Sequence, residues 1–291
     1  MKKLWLILIL FFVYVMPAQA YMPMDKAAEV VGKVMVGKAS PWAIRDPRVK
    51  VKPRPILNKS DGKKLMVQRT QYIDKGELTL IDLPPITDLR PFDTKIRNQG
   101  DRGWCTAFAS ISAIENIAKN GGKTYNLSEI YLWNLYKQYD MYEAIDAANK
   151  NFILTEKQWP YDAEKPMSVY LKRAKGVAKA KSYMELTSIN DVLVAINNKK
   201  PIMLAAETTP FWGSPNRGVI TPKGVVEGAH AITITGYYYD PNNETTGGGF
   251  FVFKNSWGQD WGDDGYGYLP FKYCKKYECY FIEVEGVVHN K

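Results

Sequence analysis

The chain is long enough for one substantial folded domain. It has 291 residues, of which 46% are hydrophobic and 24% are charged, and these fractions are typical of a globular protein. We find no internal repeat and no low-complexity tract, which argues against a repeat array or a largely disordered chain. The formal net charge of +9 raises the question of whether the protein binds nucleic acid.

The positive charge is concentrated at the front of the chain. Residues 1–20 carry a net charge of +2, residues 21–82 carry +6, and residues 83–291 carry only +1. A domain that binds nucleic acid is expected to present a basic surface. Because the main part of the chain is nearly neutral, we expect no nucleic-acid partner for it.

The first twenty residues have the pattern of a secretory signal. Two lysines precede an apolar run at 4–16, and an A-x-A motif follows at 18–20. The run is shorter than the ~20 residues that a membrane-spanning helix needs, and A-x-A is a typical cleavage site. We therefore expect export to the periplasm or the extracellular space, with Tyr21 first after cleavage and no stable membrane anchor.

Residues 21–82 form a second, basic region. A short helix-like stretch at 24–36 is followed by a stretch rich in proline and lysine at 43–64, and no second apolar core pattern is visible. Two interpretations remain open at this point. The region is either a pro-segment that is later removed or a basic spacer that joins the signal to the main domain.

Helical patterns dominate the first half of the main domain. Apolar residues recur at helical spacing over 104–120, and Asn-Gly-Gly at 120–122 is a typical helix end. Further helical stretches are predicted at 127–142 and 143–150. Cys105 therefore lies at or near the N-terminus of a helix.

The second half has the period of β-strands. Its strand-like segments are rich in β-branched and aromatic residues and are often bounded by glycine. They lie at 201–206, 230–239, 249–254, 265–270 and 280–287. The prediction is an α+β fold in which a helical N-terminal lobe precedes an antiparallel β-sheet or barrel lobe, with a cleft between the two lobes as the expected site.

Three cysteines exclude a dense disulfide framework. Cys274 and Cys279 are close enough in sequence to close a short loop, which would leave Cys105 unpaired. An odd cysteine in an exported protein is either a reactive thiol or an inert buried one. The sequence shows no pattern of metal ligands, and we expect neither a metal nor a cofactor.

Few histidines are available to act with such a thiol. A thiol reacts as thiolate, which both a helix N-terminus and a nearby imidazolium stabilise. The chain has only His230, which opens an apolar strand, and His289, which lies in a tail that is expected to fray. With Asn255, Cys105 and His230 have the order and separation of a thiol, imidazole and amide arrangement assembled from distant parts of a fold.

Four segments resemble the papain and cathepsin family. Residues 99–109 have the sequence QGDRGWCTAFA, residues 228–231 have GAHA, residues 254–262 have KNSWGQDWG, and residues 265–267 have GYG. The similarity runs from about Leu83, which resembles the start of a mature enzyme, to about Val287. It implies a papain-like two-lobe cysteine peptidase that acts on a peptide or protein substrate.

The resemblance also implies roles for individual residues. Cys105 would attack the scissile carbonyl, His230 would transfer the proton, and Asn255 would orient the imidazole. The side-chain amide of Gln99 would join the Cys105 backbone N–H in an oxyanion hole. The residues implied to cover the histidine or to contact substrate are Trp257, Trp261, Ala205 and Ala231. Core packing is the alternative interpretation of the two tryptophans, and both can hold together.

Three positions depart from the family pattern. Arg102 stands where a second cysteine is usual, Thr106 where tryptophan is usual, and Trp104 where a small residue is usual. The lost cysteine fits a bacterial-type exported member better than a lysosomal one. The family also implies that a pro-segment occupies the cleft and inhibits the enzyme. A non-catalytic binding scaffold and a transferase that passes the acyl group to an amine are the alternatives.

Overall fold

The computed structural model describes residues 21–35, 83–162 and 174–290. The predicted signal and the stretch rich in proline and lysine lie outside the described residues. The helices are α1 (Met24–Met35), α2 (Cys105–Asn120), α3 (Glu129–Tyr136), α4 (Met141–Lys150), α5 (Ile189–Asn197) and the single turn α6 (Phe271–Cys274). Two short 3₁₀ helices lie at Arg90–Phe92 and Pro210–Trp212.

The strands form one large antiparallel sheet and a small one. In chain order they are β1 (Ile86–Asp88), β2 (Ala178–Ala180), β3 (Tyr183–Leu186), β4 (Ile202–Thr208), β5 (Gly228–Tyr239), β6 (Gly249–Lys254), β7 (Tyr266–Pro270), β8 (Cys279–Val284) and β9 (Val287–His289). The large sheet has the order β3-β8-β4-β5-β6-β7, with β1 added along β5, and β2 pairs with β9. The predicted α+β architecture with a helical lobe and an antiparallel sheet lobe is confirmed.

Two helical predictions need correction. The stretch predicted as one helix at 127–142 is two, because Lys137 adopts a left-handed conformation with φ of 51° and ends α3. Helix α4 begins at Met141, earlier than predicted, because the Asp140 carboxylate accepts hydrogen bonds from the N–H groups of Tyr142 and Glu143. The chain therefore turns sharply at 137–140 between two packed helices.

The second half also contains a helix that the strand pattern hides. Helix α5 begins after Ser188, whose hydroxyl accepts a hydrogen bond from the Asp191 N–H, and its apolar residues are almost continuous. Such a run fits a buried strand as well as a buried helix. The last predicted strand is also split, since β8 ends at Val284 and β9 begins at Val287.

The sheet is covered on both faces. Phe251 and Phe253 of β6 join the apolar cluster that includes α5, whereas Phe250 and Val252 point to the opposite side. On that opposite side, α2 and α4 cover the part of the sheet formed by β4, β5 and β8. The active-site region lies where the N-terminus of α2 meets the start of β5.

Helix α1 covers the remaining part of this same face. Its stripe of Met24, Ala27, Val31 and Val34 packs in one cluster with residues of β6 and β7. The helix-like stretch predicted at 24–36 is this helix, and its apolar stripe packs on the sheet and forms no separate core. Over the described ranges, no helix has the length and apolarity needed to cross a membrane.

Candidate active site

Cys105 is the first residue of α2. The preceding residue, Trp104, caps the helix through its backbone carbonyl, which accepts hydrogen bonds from the N–H groups of Ala107 and Phe108. The thiol is therefore held at the positive end of a sixteen-residue helix, which favours a negative charge there. Cys105 is 6% exposed, so its surroundings exclude most water.

Polar contacts fix α2 in the fold. The Thr233 hydroxyl of β5 donates a hydrogen bond of 3.0 Å to the Ala109 carbonyl, one turn after Cys105. The Thr106 and Tyr136 hydroxyls lie 2.7 Å apart and join α2 to α3. These contacts hold the N-terminus of α2 against the β5 segment that begins with the histidine.

His230 and Asn255 are joined directly. The His230 Nε2 lies 2.8 Å from the Asn255 Oδ1, and both side chains are buried. The same Oδ1 accepts the Ser256 N–H at 2.8 Å, which identifies this atom as the amide oxygen. His230 Nε2 must therefore carry the proton in this hydrogen bond, and proton exchange with a thiol falls to Nδ1.

Aromatic rings hold the imidazole on two sides. Trp257 stacks on His230 with ring centroids 4.3 Å apart, and Trp212 meets the same ring edge-on at 6.1 Å. The Trp212 indole N–H donates to the Tyr273 hydroxyl at 2.8 Å, which fixes its own position. The apolar cover lowers the local dielectric and strengthens the hydrogen bond between His230 and Asn255.

Gln99 is fully buried and its amide is oriented from both ends. Its Oε1 accepts a hydrogen bond of 2.6 Å from the Ser256 hydroxyl, and its Nε2 donates one of 2.7 Å to the Arg102 carbonyl. The Tyr161 hydroxyl donates to the Gln99 backbone carbonyl at 2.8 Å. The side-chain nitrogen therefore faces the loop that leads directly into Cys105.

The four residues implied to contact substrate have different positions. Ala205 and Ala231 are opposite each other on β4 and β5 and share one apolar cluster with Cys105, so they form a wall without bulky side chains. Trp257 is partly buried and remains at the surface of the site. Trp261 is buried beneath it, donates to the Trp212 carbonyl at 2.9 Å, and has a packing role.

A buried charge network lies between α2 and the sheet. The Arg97 guanidinium donates to Glu115 of α2 at 2.8 Å and also contacts Glu129 of α3. The Lys254 ammonium, one residue before Asn255, donates to the Thr94 hydroxyl at 3.1 Å. Thus a single network of charges and hydroxyls ties the helices to the strand that positions Asn255.

Burial changes the protonation of this network. It raises the pKa of Glu129 to about 7, against the opposing attraction of Arg97. It also raises the pKa of Asp93, opposed mainly by Lys254, and lowers the pKa of Lys254 itself. These groups therefore titrate closer to neutral pH than their exposed counterparts would.

Arg102 links two segments at the position where the family pattern has a cysteine. Its guanidinium donates to the Tyr161 carbonyl at 2.9 Å and lies 4.8 Å from the ring centroids of Trp104 and Tyr161. Cation–π contacts of this kind contribute about 0.5–1 kcal/mol at exposed sites. Arg102 and Trp104 thus join the loop before Cys105 to the segment around Tyr161.

The other two cysteines form a disulfide bond between α6 and β8. The loop that they close contacts the segment before β5. The Tyr277 hydroxyl donates to the Gly224 carbonyl at 2.8 Å, and the Lys276 ammonium donates to the Pro222 carbonyl at 3.1 Å. Among the residues that the structure describes, no group of three or more His, Cys, Asp or Glu side chains could hold a metal ion.

Comparison with known proteins shows the family of the chain. The family model described as papain family cysteine protease matches residues 83–283. The chain belongs to the papain family. Ananain from Ananas comosus is 28% identical over 219 residues, which are 69% of this chain and 60% of ananain. The present chain therefore spans less than two thirds of the length of this papain-family relative.

Solved structures of the papain family have the same fold. Xylellain, a cysteine protease from Xylella fastidiosa, superposes with a TM-score of 0.58 at 20% identity over 71% of this chain and 87% of xylellain. Amb a 11, a ragweed pollen cysteine protease in its proform, superposes with a TM-score of 0.59 at 23% identity over 76% of this chain and 71% of its own. At these identities the likeness concerns the fold.

Two residues of the site were not predicted from the sequence. Ser256 orients Gln99. Its position directly after Asn255, within the segment that resembles the papain family, could have marked it as a site residue. Trp212 packs against His230 from a segment with no recognised motif, 18 residues earlier in the chain. Only the fold brings that segment to the histidine.

Proposed function

We propose that the protein is a cysteine peptidase that cleaves peptide bonds inside protein substrates through a thioester intermediate. The observation that carries the proposal is the hydrogen bond of 2.8 Å between His230 and Asn255 under Trp257, next to a helix that begins at Cys105. A thiol at a helix N-terminus and an oriented imidazole are the two groups that thiol acyl transfer requires.

The first half of the reaction forms the acyl-enzyme. His230 Nδ1 takes the proton of the Cys105 thiol, and the resulting thiolate attacks the carbonyl carbon of the scissile bond. The imidazolium then gives this proton to the departing amine as the C–N bond breaks. Asn255 keeps the ring in the orientation that both transfers need, and the products of this half are a thioester and a free amine.

The second half hydrolyses the thioester. His230 accepts a proton from water while the water oxygen attacks the thioester carbonyl. Collapse of this intermediate breaks the C–S bond, releases a carboxylic acid and restores the thiol and imidazole pair. We assign Ala205 and Ala231 to the side of the site on which a substrate side chain would lie, because they share a cluster with Cys105 and are small.

Gln99 supplies the proposed stabilisation of the oxyanion. The side-chain nitrogen of Gln99 carries two N–H bonds, and the backbone carbonyl of Arg102 accepts a hydrogen bond from only one of them. We assign the second N–H to the oxyanion, together with the backbone N–H of Cys105 at the helix N-terminus. Ser256 prevents the amide from turning its oxygen toward the same place.

We also propose that the enzyme is an exported, bacterial-type member that is made as a precursor. Its predicted signal supports export to the periplasm or the extracellular space. Amb a 11 was solved in its proform, which supports the proposal that part of residues 21–82 delays activity here. N-terminal sequencing of the active enzyme tests this, because an active form that starts at Tyr21 with residues 36–82 intact contradicts it.

The peptidase proposal is tested with protein that lacks residues 1–20. Cleavage of a fluorogenic peptide library is measured in a thiol reductant, before and after a cut is made within residues 36–82. We expect Cys105→Ala and His230→Ala to abolish cleavage. His289→Ala is the matched control, since it removes the other histidine of the chain and should retain full activity.

Two results contradict the proposal. The first is equal cleavage by the unsubstituted protein and Cys105→Ala, and the second is no thiol-dependent cleavage by any processed form that is folded. Mass spectrometry of the products in the presence of a primary amine separates the alternatives. A carboxylic acid product identifies a hydrolase, whereas a new amide identifies a transferase.

A further inference from the structure

The first described segment, residues 21–35, lies outside the family match at 83–283 yet is built into the fold. Its helix α1 buries a stripe whose members are spaced by three or four residues, as expected for one face of a helix. The partners of this stripe are Val219, Phe250, Val252, Tyr266 and Tyr268. Without α1, this apolar surface would face water.

Polar contacts fix the segment just before α1. The Met22 N–H donates a hydrogen bond of 2.8 Å to the Asp263 carboxylate, and the Met22 carbonyl accepts one of 3.0 Å from Arg90. Both backbone groups of Met22 are thus bound by side chains of the peptidase domain. Such paired contacts define one register for the segment on the surface.

Arg90 makes this attachment specific. Its guanidinium is buried, forms a bidentate pair with Asp88 at 2.8 and 2.9 Å, and lies 4.0 Å from the centroid of the Tyr21 ring. Tyr21 also meets the Tyr266 ring edge-on at 5.2 Å. Loss of residues 21 and 22 would remove the acceptor at the Met22 carbonyl and the aromatic ring beside the guanidinium, two of the contacts that Arg90 makes.

The outer face of α1 has the opposite character. Glu29 and Lys33 form an ion pair in which both side chains are more than half exposed. The helix therefore has one apolar face against the sheet and one charged face toward water. This is the distribution of a surface helix of a folded domain, not of a segment that waits for another partner.

The docking place of α1 is also separate from the reacting groups. The helix packs on β6 and β7, whereas Cys105 and the alanine wall belong to the cluster under α2 and α4. An inhibitor must cover the nucleophile, and α1 covers a different part of the sheet. Inhibition and attachment are therefore separate properties of the region 21–82.

We propose that residues 21–35 are a permanent part of the peptidase, held by this sheet surface even after the chain between residues 35 and 83 is cut. The predicted region 21–82 is thus two units, of which the first is retained. Maturation by hydrolysis within the second unit, with water giving a new carboxylate and a new amine, would produce a two-chain enzyme whose short chain stays bound without a covalent link.

The test uses protein of residues 21–291 with Cys105→Ala, so that its outcome does not depend on the proposed activity. A recognition sequence for a site-specific protease replaces residues 55–61, the purified protein is cut there, and the products are separated by gel filtration in native buffer. We expect the short fragment to co-elute with the large one in a ratio of about one to one, as shown by mass spectrometry, and to separate in guanidinium.

A matched pair of variants locates the contact. Ala27→Asn with Val31→Asn places two amides on the buried stripe, and Lys26→Asn with Lys33→Asn places the same residues on the exposed face. We expect the first pair to release the short fragment after the cut and the second pair to retain it. Release from the otherwise unsubstituted protein, or retention by the Ala27 and Val31 variant, would overturn the proposal.

Discussion

Two helices lie on the same face of the large sheet and are held there in different ways. Helix α2 is buried on most of its surface and is tied to the sheet by hydroxyls and by the ionic network of Glu115. Helix α1 is buried along one stripe only and is held mainly by apolar contacts. The comparison shows that polar anchoring is concentrated where a reactive group must be positioned.

The difference has a physical reason. Apolar contacts are non-directional, so they hold a helix on a surface without fixing its rotation closely. Hydrogen bonds and ion pairs restrict distance and angle. The proposed reaction needs a fixed relation between Cys105 and His230, and α2 has directional contacts to β5, to α3 and to Arg97. Residues 21 and 22 provide the few directional contacts that α1 has.

The largest expected effect comes from breaking the network under α2. Glu115→Ala removes the partner of Arg97 and the acceptor of the Leu127 N–H, which lies 2.6 Å away. We expect the free energy of unfolding to fall by about 3–5 kcal/mol, because Arg97 keeps only Glu129 as a carboxylate partner and the buried Leu127 N–H loses its acceptor. Guanidinium denaturation at pH 7 measures this change in the free energy of unfolding.

The control for this prediction is the same substitution on the other helix. Glu29→Ala removes an exposed glutamate of α1 and should leave the denaturation midpoint unchanged. Equal midpoints for Glu115→Ala and the unsubstituted protein would show that the buried network does not anchor α2.

The next largest effect concerns turnover. Gln99→Ala removes the proposed oxyanion donor, and kcat should fall by about 10²- to 10³-fold. KM should change much less, because the donor acts on charge that develops in the transition state. Steady-state kinetics on a fluorogenic peptide measure both constants. Gln138→Ala, which removes an exposed glutamine, is the control, and a similar loss of kcat in it would contradict the assignment.

A smaller effect is expected on α1. Val31 is fully buried, and Val31→Ala removes two methyl groups from the stripe. The free energy of unfolding should fall by about 1.5–2 kcal/mol, at about 0.8 kcal/mol for each buried carbon. Thermal denaturation measures the loss, and kcat at a temperature well below the midpoint should stay the same. A loss of kcat without a loss of stability would mean that α1 acts on the site.

The remaining effect is a change in the pH dependence of stability. The pKa of Glu129 is about 7 in the folded protein and close to the ordinary glutamate value of 4.5 in the unfolded chain. Between these values the folded state binds more protons, so this group increases stability as the pH falls from 7 toward 4.5. The stabilisation by Glu129 is fully present below pH 4.5, the pKa in the unfolded chain. It is lost as the pH rises through about 7, the pKa in the folded protein.

Glu129→Gln removes this titration. As the pH falls from about 7 to 4.5, the unsubstituted protein should therefore gain stability relative to the variant, measured as the difference in their free energies of unfolding. Denaturation curves at several pH values measure the difference. A difference that is constant with pH would show that Glu129 does not titrate there.

Much of the fold was predictable because its signals are local. The strand at 249–254 was predicted with the bounds that β6 has, and the helix at 104–120 differs from α2 by one residue. Glycines and a periodic apolar pattern bound both elements. The break at Lys137 was missed because apolar residues continue through it, although Asp140 offered a cap signal for the next helix.

The site was predictable only in part. Recognisable sequence segments contain Cys105, His230, Asn255 and Gln99. Trp212 instead lies in the connection between β4 and β5, and only the fold brings it to the histidine. The place of α1 was unpredictable for a related reason. The hydrogen bond between Met22 and Asp263, just before α1, joins residues 241 positions apart. A local sequence pattern cannot predict a contact over such a separation.

The disulfide between Cys274 and Cys279 gives the protein two opposite redox requirements. The loop that it closes supports Pro222 and Gly224 in the segment leading to His230, so the histidine side of the site depends on oxidised sulfur. The catalysis proposed at Cys105 depends on reduced sulfur. If Cys105 is the nucleophile, we expect activity of the purified enzyme to be highest at an intermediate concentration of reductant, because low concentrations leave Cys105 oxidised and high ones break the disulfide.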